Sequence, residues 1–164
     1  MTATVTKADV ERELLEAWEA LGSAVDSFSE MELEQPGVVE GWSIKDLLGH
    51  IAFWAQQAAH NLQLMAAGRA DEVRHPSDEK VTDEWNEREW RLRRERPLSE
   101  IREEWLASFQ GAMEALAASP SEKLEEKLKG YTALKLFAVD TYEHYNEHLA
   151  QLTAWRRELE TTET

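Results

Sequence analysis

Apolar residues recur at steps of three and four along four long stretches of this chain, and that repeat constrains its fold more than any single motif. The first stripe is Val10, Leu14, Trp18, Leu21, Val25 and Phe28. A broader one holds Ile44, Leu47, Leu48, Ile51, Trp54, Ala55, Ala58, Leu62 and Met65. Leu98, Ile101, Trp105, Phe109, Ala112, Met113 and Leu116 make the third, and Leu134, Phe137, Thr141, Tyr145, Leu152 and Trp155 the fourth. Such spacing puts each set on one face of an α-helix. The chain has only 7 Gly and 4 Pro, and it lacks β-branched runs, so little in it competes with helix.

Local signals set the expected ends. Thr6 caps the first helix, with Asp9 answering it, and the helix runs from Lys7 to Phe28. Ser29–Trp42 contains Pro36, Gly37 and Gly41 and reads as an irregular connection. Ser43 and Asp46 form a capping-box pattern for the second helix, and Gly68 is placed to end it. Asp78–Glu95 reads as a short charged helical segment with Val81, Trp85 and Leu92 as its buried edge. Its arginines, Arg88, Arg91, Arg93, Arg94 and Arg96, read as a salt-bridged solvent face. Pro97 opens the third long helix, and Ser119–Pro120 closes it. Ser121–Lys129 holds one or two turns of helix before Gly130. The last helix is expected over Tyr131–Leu159, with a frayed tail from Glu160 to Thr164. The expectation is an all-α, four-helix bundle with an extra helical segment between the second and third long helices. At 164 residues it is one domain, with a core spanning 6–159.

Charge narrows the partners. A formal net charge of −15 gives nucleic-acid binding no electrostatic support and disfavours anionic membranes. A neutral or cationic partner is more plausible than a polyanion, and a small-molecule substrate is the expected one. With no cysteine there is no disulfide, thiolate metal site or cysteine nucleophile, so thiol chemistry needs a thiol brought by a cosubstrate. No apolar run approaches the roughly 18 residues of a membrane span. The amino terminus lacks an apolar signal region, which makes a cytoplasmic location the expectation.

Two histidines, His144 and His148, lie four residues apart within the last stripe. Buried imidazoles need partners for their nitrogens, and one transition metal partners both. Taken alone, His-x-x-x-His also arises by chance in helical proteins. His50, two turns into the second helix, can meet the pair inside a bundle, whereas His60 lies on that helix's polar side. Three neutral imidazoles leave coordination positions open, which suits activation of water or a thiol.

Two segments carry a resemblance. Gly41-Trp-Ser-Ile-Lys-Asp-Leu-Leu-Gly-His50-Ile-Ala-Phe-Trp54 and Tyr142-Glu-His144-Tyr-Asn-Glu-His148-Leu-Ala-Gln-Leu resemble the two signature motifs of the DinB-like superfamily, in order and separation. Its members include mycothiol-dependent maleylpyruvate isomerases, bacillithiol transferases and ClbS/DfsB-type proteins. The resemblance implies an up-down-down-up bundle, frequent homodimers, and a divalent metal, commonly zinc or nickel. Carried onto this chain, the metal ligands are His50, His144 and His148.

Asp46, Trp54, Asn86, Asp140 and Tyr145 are candidates to orient these ligands or line a pocket. Each has a plainer reading as helix charge, cap or packing. Two functional readings follow. One is a metal-dependent enzyme that activates a low-molecular-weight thiol for S-transfer, or water for hydrolysis. The other is a non-catalytic bundle that binds or sequesters a small molecule, with a structural or adventitious metal.

Overall fold

The computed structural model describes residues 4–163; Met1–Ala3 and the final residue of the expected frayed tail, Thr164, lie outside the described residues. Four long helical stretches build the bundle: α1 (Lys7–Asp26), α3 (Ile44–Ala66), α5 (Leu98–Ala118), and a last stretch of α7 (Ala133–Ala138), a π-helical turn (Val139–Glu143) and α8 (His144–Thr162). Shorter helices α2 (Glu30–Glu34), α4 (Glu79–Arg93) and α6 (Ser121–Glu125) fill the connections. Among the described residues, no helix is long and apolar enough to cross a membrane.

Side-chain bonds at the helix ends fix the directions. Lys7 Nζ donates to Ala117 O at 2.7 Å, and Arg102 meets Asp26 at 3.1 Å, so α1 and α5 are antiparallel. Tyr145 at the start of α8 lies 6.3 Å from the Trp18 ring, and Arg156 farther along donates to Ser27 O at 2.6 Å, so α1 and α8 are parallel. Lys45 donates to Arg94 O and Gln56 to Glu104 Oε1, each at 3.1 Å, so α3 and α5 run the same way. The order is therefore up-down-down-up, and the long parallel crossover between α3 and α5 carries α4.

The expected caps of α1 and α3 form as full capping boxes, Thr6 with Asp9 and Ser43 with Asp46. Gly68 ends α3 with φ +75°, a left-handed conformation that glycine reaches without a Cβ penalty. The core runs along α3, whose buried face includes Ile44, Leu48, Ile51, Ala55 and Leu62.

Several expectations are corrected. The Ser29–Trp42 connection contains α2, capped reciprocally by Ser29 and Glu32, with Leu33 buried beneath it. Leu92 is 65% exposed, and Arg93 lies on the inward side of α4 instead. This helix buries no residue fully, and the expected edge holds at Val81 and Trp85, which are half-buried, with the Trp85 ring 6.0 Å from Trp54 and 6.3 Å from Phe53; polar contacts add to the docking. Arg93 Nη2 meets Glu104 Oε1 of α5 at 2.7 Å and Arg93 Nη1 meets Glu89 at 2.6 Å, while Arg96 reaches Glu104 at 2.7 Å. Part of the arginine cluster thus faces the bundle rather than solvent.

Before the last helix, Lys127–Leu128 and Tyr131–Thr132 pair as a small antiparallel hairpin. Tyr131 therefore lies outside the helix, which starts at Ala133 under a Thr132 cap. At the other end the helix continues to Thr162, past the expected fraying point at Glu160.

Candidate metal centre

The π-helical turn at Val139–Glu143 ends where His144 begins α8. It inserts a wider turn into the helix, and such turns often mark functional sites. Thr141 is fully buried there, with its hydroxyl donating to Phe137 O at 2.7 Å, and Asp140 beside it is also buried. His148 follows His144 by one turn and is buried. His50 approaches from α3, backed by the Trp42 ring edge-on at 5.4 Å.

The three imidazoles converge. His144 Nε2 lies 2.9 Å from His50 Nε2 and 2.8 Å from His148 Nε2, and one nitrogen from each ring fits within a 4.8 Å spread. A neutral ring nitrogen is either a donor or an acceptor in its plane, so His144 Nε2 cannot form a good hydrogen bond to both neighbours. A cation taken up by all three nitrogens removes that conflict, and this cluster could hold a metal ion.

The electrostatics keep the lone pairs free. Burial lowers the His50 pKa to about 3, with the charge of His148 adding to the effect. Burial also pushes His144 well down and lowers His148. Gln151, one turn beyond His148, accepts the Nδ1–H of that ring at 2.6 Å. The bond leaves the Nε2 lone pair of His148 pointing to its neighbours.

A cleft of about 350 Å³ opens onto the cluster. Trp54 lines it and donates from Nε1 to Asn86 Oδ1 at 2.8 Å, so these two expected residues form one wall across α3 and α4. Asp140 lines it too, paired with His75 Nε2 at 3.2 Å. Glu147 stands exposed on the cleft's lining.

Two of the candidate residues lie elsewhere. Asp46 is engaged by Ser43 in the capping box, accepting from its backbone nitrogen at 3.0 Å. Tyr145 is fully buried on the core side, 6.3 Å from the Trp18 ring, because a residue next to His144 turns roughly 100° away around the helix. Three contributors escaped the sequence reading. His75 sits in the connection after α3 and meets Asp140 across 65 positions, a pairing no local spacing announces. Trp42 meets His50 through the turn before α3. Gln151 was within reach of the rule that residues three apart on a helix are neighbours.

The family model described as mycothiol maleylpyruvate isomerase N-terminal domain matches residues 14–144. The matched span holds His50 and His144 and stops short of His148. Comparison with curated proteins finds no match.

Proposed function

We propose a metal-centred function from one premise: the chain belongs to the mycothiol maleylpyruvate isomerase N-terminal domain family. In this reading His50, His144 and His148 hold one divalent ion, zinc or nickel, and the protein activates a low-molecular-weight thiol or water toward a small electrophile. The supporting observation is the meeting of three uncharged ring nitrogens at one point, with Gln151 fixing the tautomer of His148. When bound, the ion supplies Lewis acidity and lowers the pKa of the thiol or water it receives.

The remaining tasks fall to the chain itself. Trp54 and Asn86 hold one wall of the cleft in a fixed position. Pro76 and Val139 present apolar surface to a bound molecule. The His75–Asp140 pair supplies a polar group on the same lining. The cysteine-free chain requires that the thiol come from outside. A small-molecule substrate, a homodimer and a cytoplasmic location belong to the same proposal.

Metal content, measured on untagged protein purified without a metal column, tests the reading. The expected result is one ion per chain, lost in each folded His50→Ala, His144→Ala and His148→Ala variant. Correctly folded wild type that takes up no divalent ion would overturn it. With metal established, thiol transfer to a model electrophile that disappears in His144→Ala supports the enzyme. Saturable binding of the electrophile without turnover supports the sequestering bundle.

A further inference from the structure

A second cavity, of about 700 Å³, lies on the other side of the His75–Pro76 strap and shares those two residues with the metal cleft. Its walls are mixed. Val73, Leu128 and Leu136 give it apolar surface, and the Tyr131 ring lines it while remaining 58% exposed. Arg74 and Lys129 also line it.

These two cations belong to the minority in this protein that form no ion pair among the described residues. Most of its lysines and arginines pair with carboxylates, as an excess of 33 acidic over 18 basic residues makes easy. Arg74 Nη1 instead donates to Asp71 O at 3.0 Å and to Val73 O at 3.1 Å, and Lys129 Nζ donates to His75 O at 3.2 Å. Val73 and His75 are two residues apart, so the carbonyls that the cations grip lie within about 7 Å along the chain. The charge of Arg74 reaches Glu72 at longer range. Asp71, the one carboxylate on the lining, acts on Arg69.

Lys129 carries a second signal. It has φ +52° and precedes Gly130, φ +89°, in the two-residue hairpin turn. Both central positions of such a turn favour glycine or asparagine, and a lysine in the left-handed region is strained. The strained backbone places an ammonium group at the cavity.

We propose that this groove is a ligand site for a small amphipathic carboxylate, its anion held between Arg74 and Lys129 and its apolar body against Leu128, Tyr131 and Leu136. Fixed donors with charge bind a carboxylate more strongly than neutral groups do, and the guanidinium presents a fork to both oxygens. The surrounding net charge of −15 repels anions, so the local pair must supply the attraction. It also disfavours an anionic bilayer as the occupant. Binding here needs no metal and stands apart from the function of the histidine cluster.

Calorimetric titration of the chelator-treated full chain with 2-naphthoate and with its neutral amide tests the site. The acid is expected to bind at least about tenfold more tightly than the amide, the factor set by a lost charge-assisted bond. The double variant Arg74→Ala/Lys129→Ala removes that preference and leaves amide binding unchanged, and Arg74→Lys/Lys129→Arg retains it. Lys129→Gly guards against misfolding, because glycine suits the turn: its melting temperature holds or rises while acid affinity falls. His148→Ala leaves binding intact. Equal affinity for acid and amide, no saturable binding, or acid binding lost in His148→Ala but kept in Arg74→Ala/Lys129→Ala would each overturn the proposal.

Discussion

Gln151 Oε1 accepts the Nδ1–H of His148 at 2.6 Å, one helical turn away, and thereby directs the other nitrogen of that ring at His144. A carbonyl oxygen cannot donate, so the bond selects a single tautomer. Partners of this kind orient ligating imidazoles and raise their basicity.

Gln151→Leu should therefore weaken metal affinity by roughly 10–100-fold while every ligand stays in place. Competition with a chromophoric chelator reads the change. Unaltered affinity would show that helix geometry alone orients His148.

Gly49 faces the stem of Arg93: a Cβ at this position would lie 2.9 Å from Arg93 Cδ. The arginine cannot swing aside freely, because Glu89 and Glu104 hold its guanidinium at 2.6 and 2.7 Å. Gly49→Ala is expected to cost about 1–3 kcal/mol in denaturant unfolding. Because the two residues share one contact, Gly49→Ala/Arg93→Ala should destabilise by less than the sum of the single changes. Strict additivity would refute the clash.

Glu104 receives Arg93, Arg96 and Gln56 at once. Burial works to raise its pKa, but these donors prevail and hold it below the ordinary 4.5. A lowered folded value means that stability is full above about pH 4.5 and is lost as pH falls through the folded value. The side chains of Arg93 and Glu104 keep 13% and 15% exposure, so Glu104→Ala should cost about 2–3 kcal/mol at neutral pH, under the roughly 3–5 of a fully buried broken pair. Unfolding curves across the acid range should show the variant and wild type converging below pH 4.5. A constant gap would separate the loss from the carboxylate's charge.

His75 has its pKa raised above 6.5, chiefly by the hydrogen bond to Asp140, against an opposing effect of burial. Its contribution to stability is complete below 6.5 and fades as pH rises through the folded value. The His75 ring-proton resonance should titrate above 6.5 in the wild type. In Asp140→Asn the carboxylate is gone and burial remains, so the midpoint should fall below 6.5. An unmoved midpoint would mean that another group sets the His75 charge.

Much of the fold was legible because its determinants are local. Three-and-four spacing, the Thr6–Asp9 and Ser43–Asp46 boxes and Gly68 each act within a turn or two of the chain. The same spacing put His144 and His148 on one face, and the motif around His50 marked the third ring. Periodicity failed at one end of α4. Leu92 kept the expected apolar spacing but is exposed, while Trp85 stacks on Trp54 and Arg93 turns inward to pair with Glu104. A single interrupted turn was equally hidden: the stripe from Leu134 to Tyr145 reads as one helix, yet it passes through the π-helical turn that precedes His144.

The sequence by itself determined the four long helices, the caps of the first two and the pairing of His144 with His148, since each follows from side-chain chemistry at helical intervals, and its motif resemblance added His50. Only the tertiary structure decided what surrounds them. His75 met Asp140, Trp42 backed His50, and Arg74 and Lys129 came to one groove through the crossover and the hairpin. His75–Asp140 and Arg74–Lys129 join residues far apart in the chain, Trp42 reaches His50 around a turn, and in each case the geometry is set by how the elements pack rather than by the local periodicity that forms them.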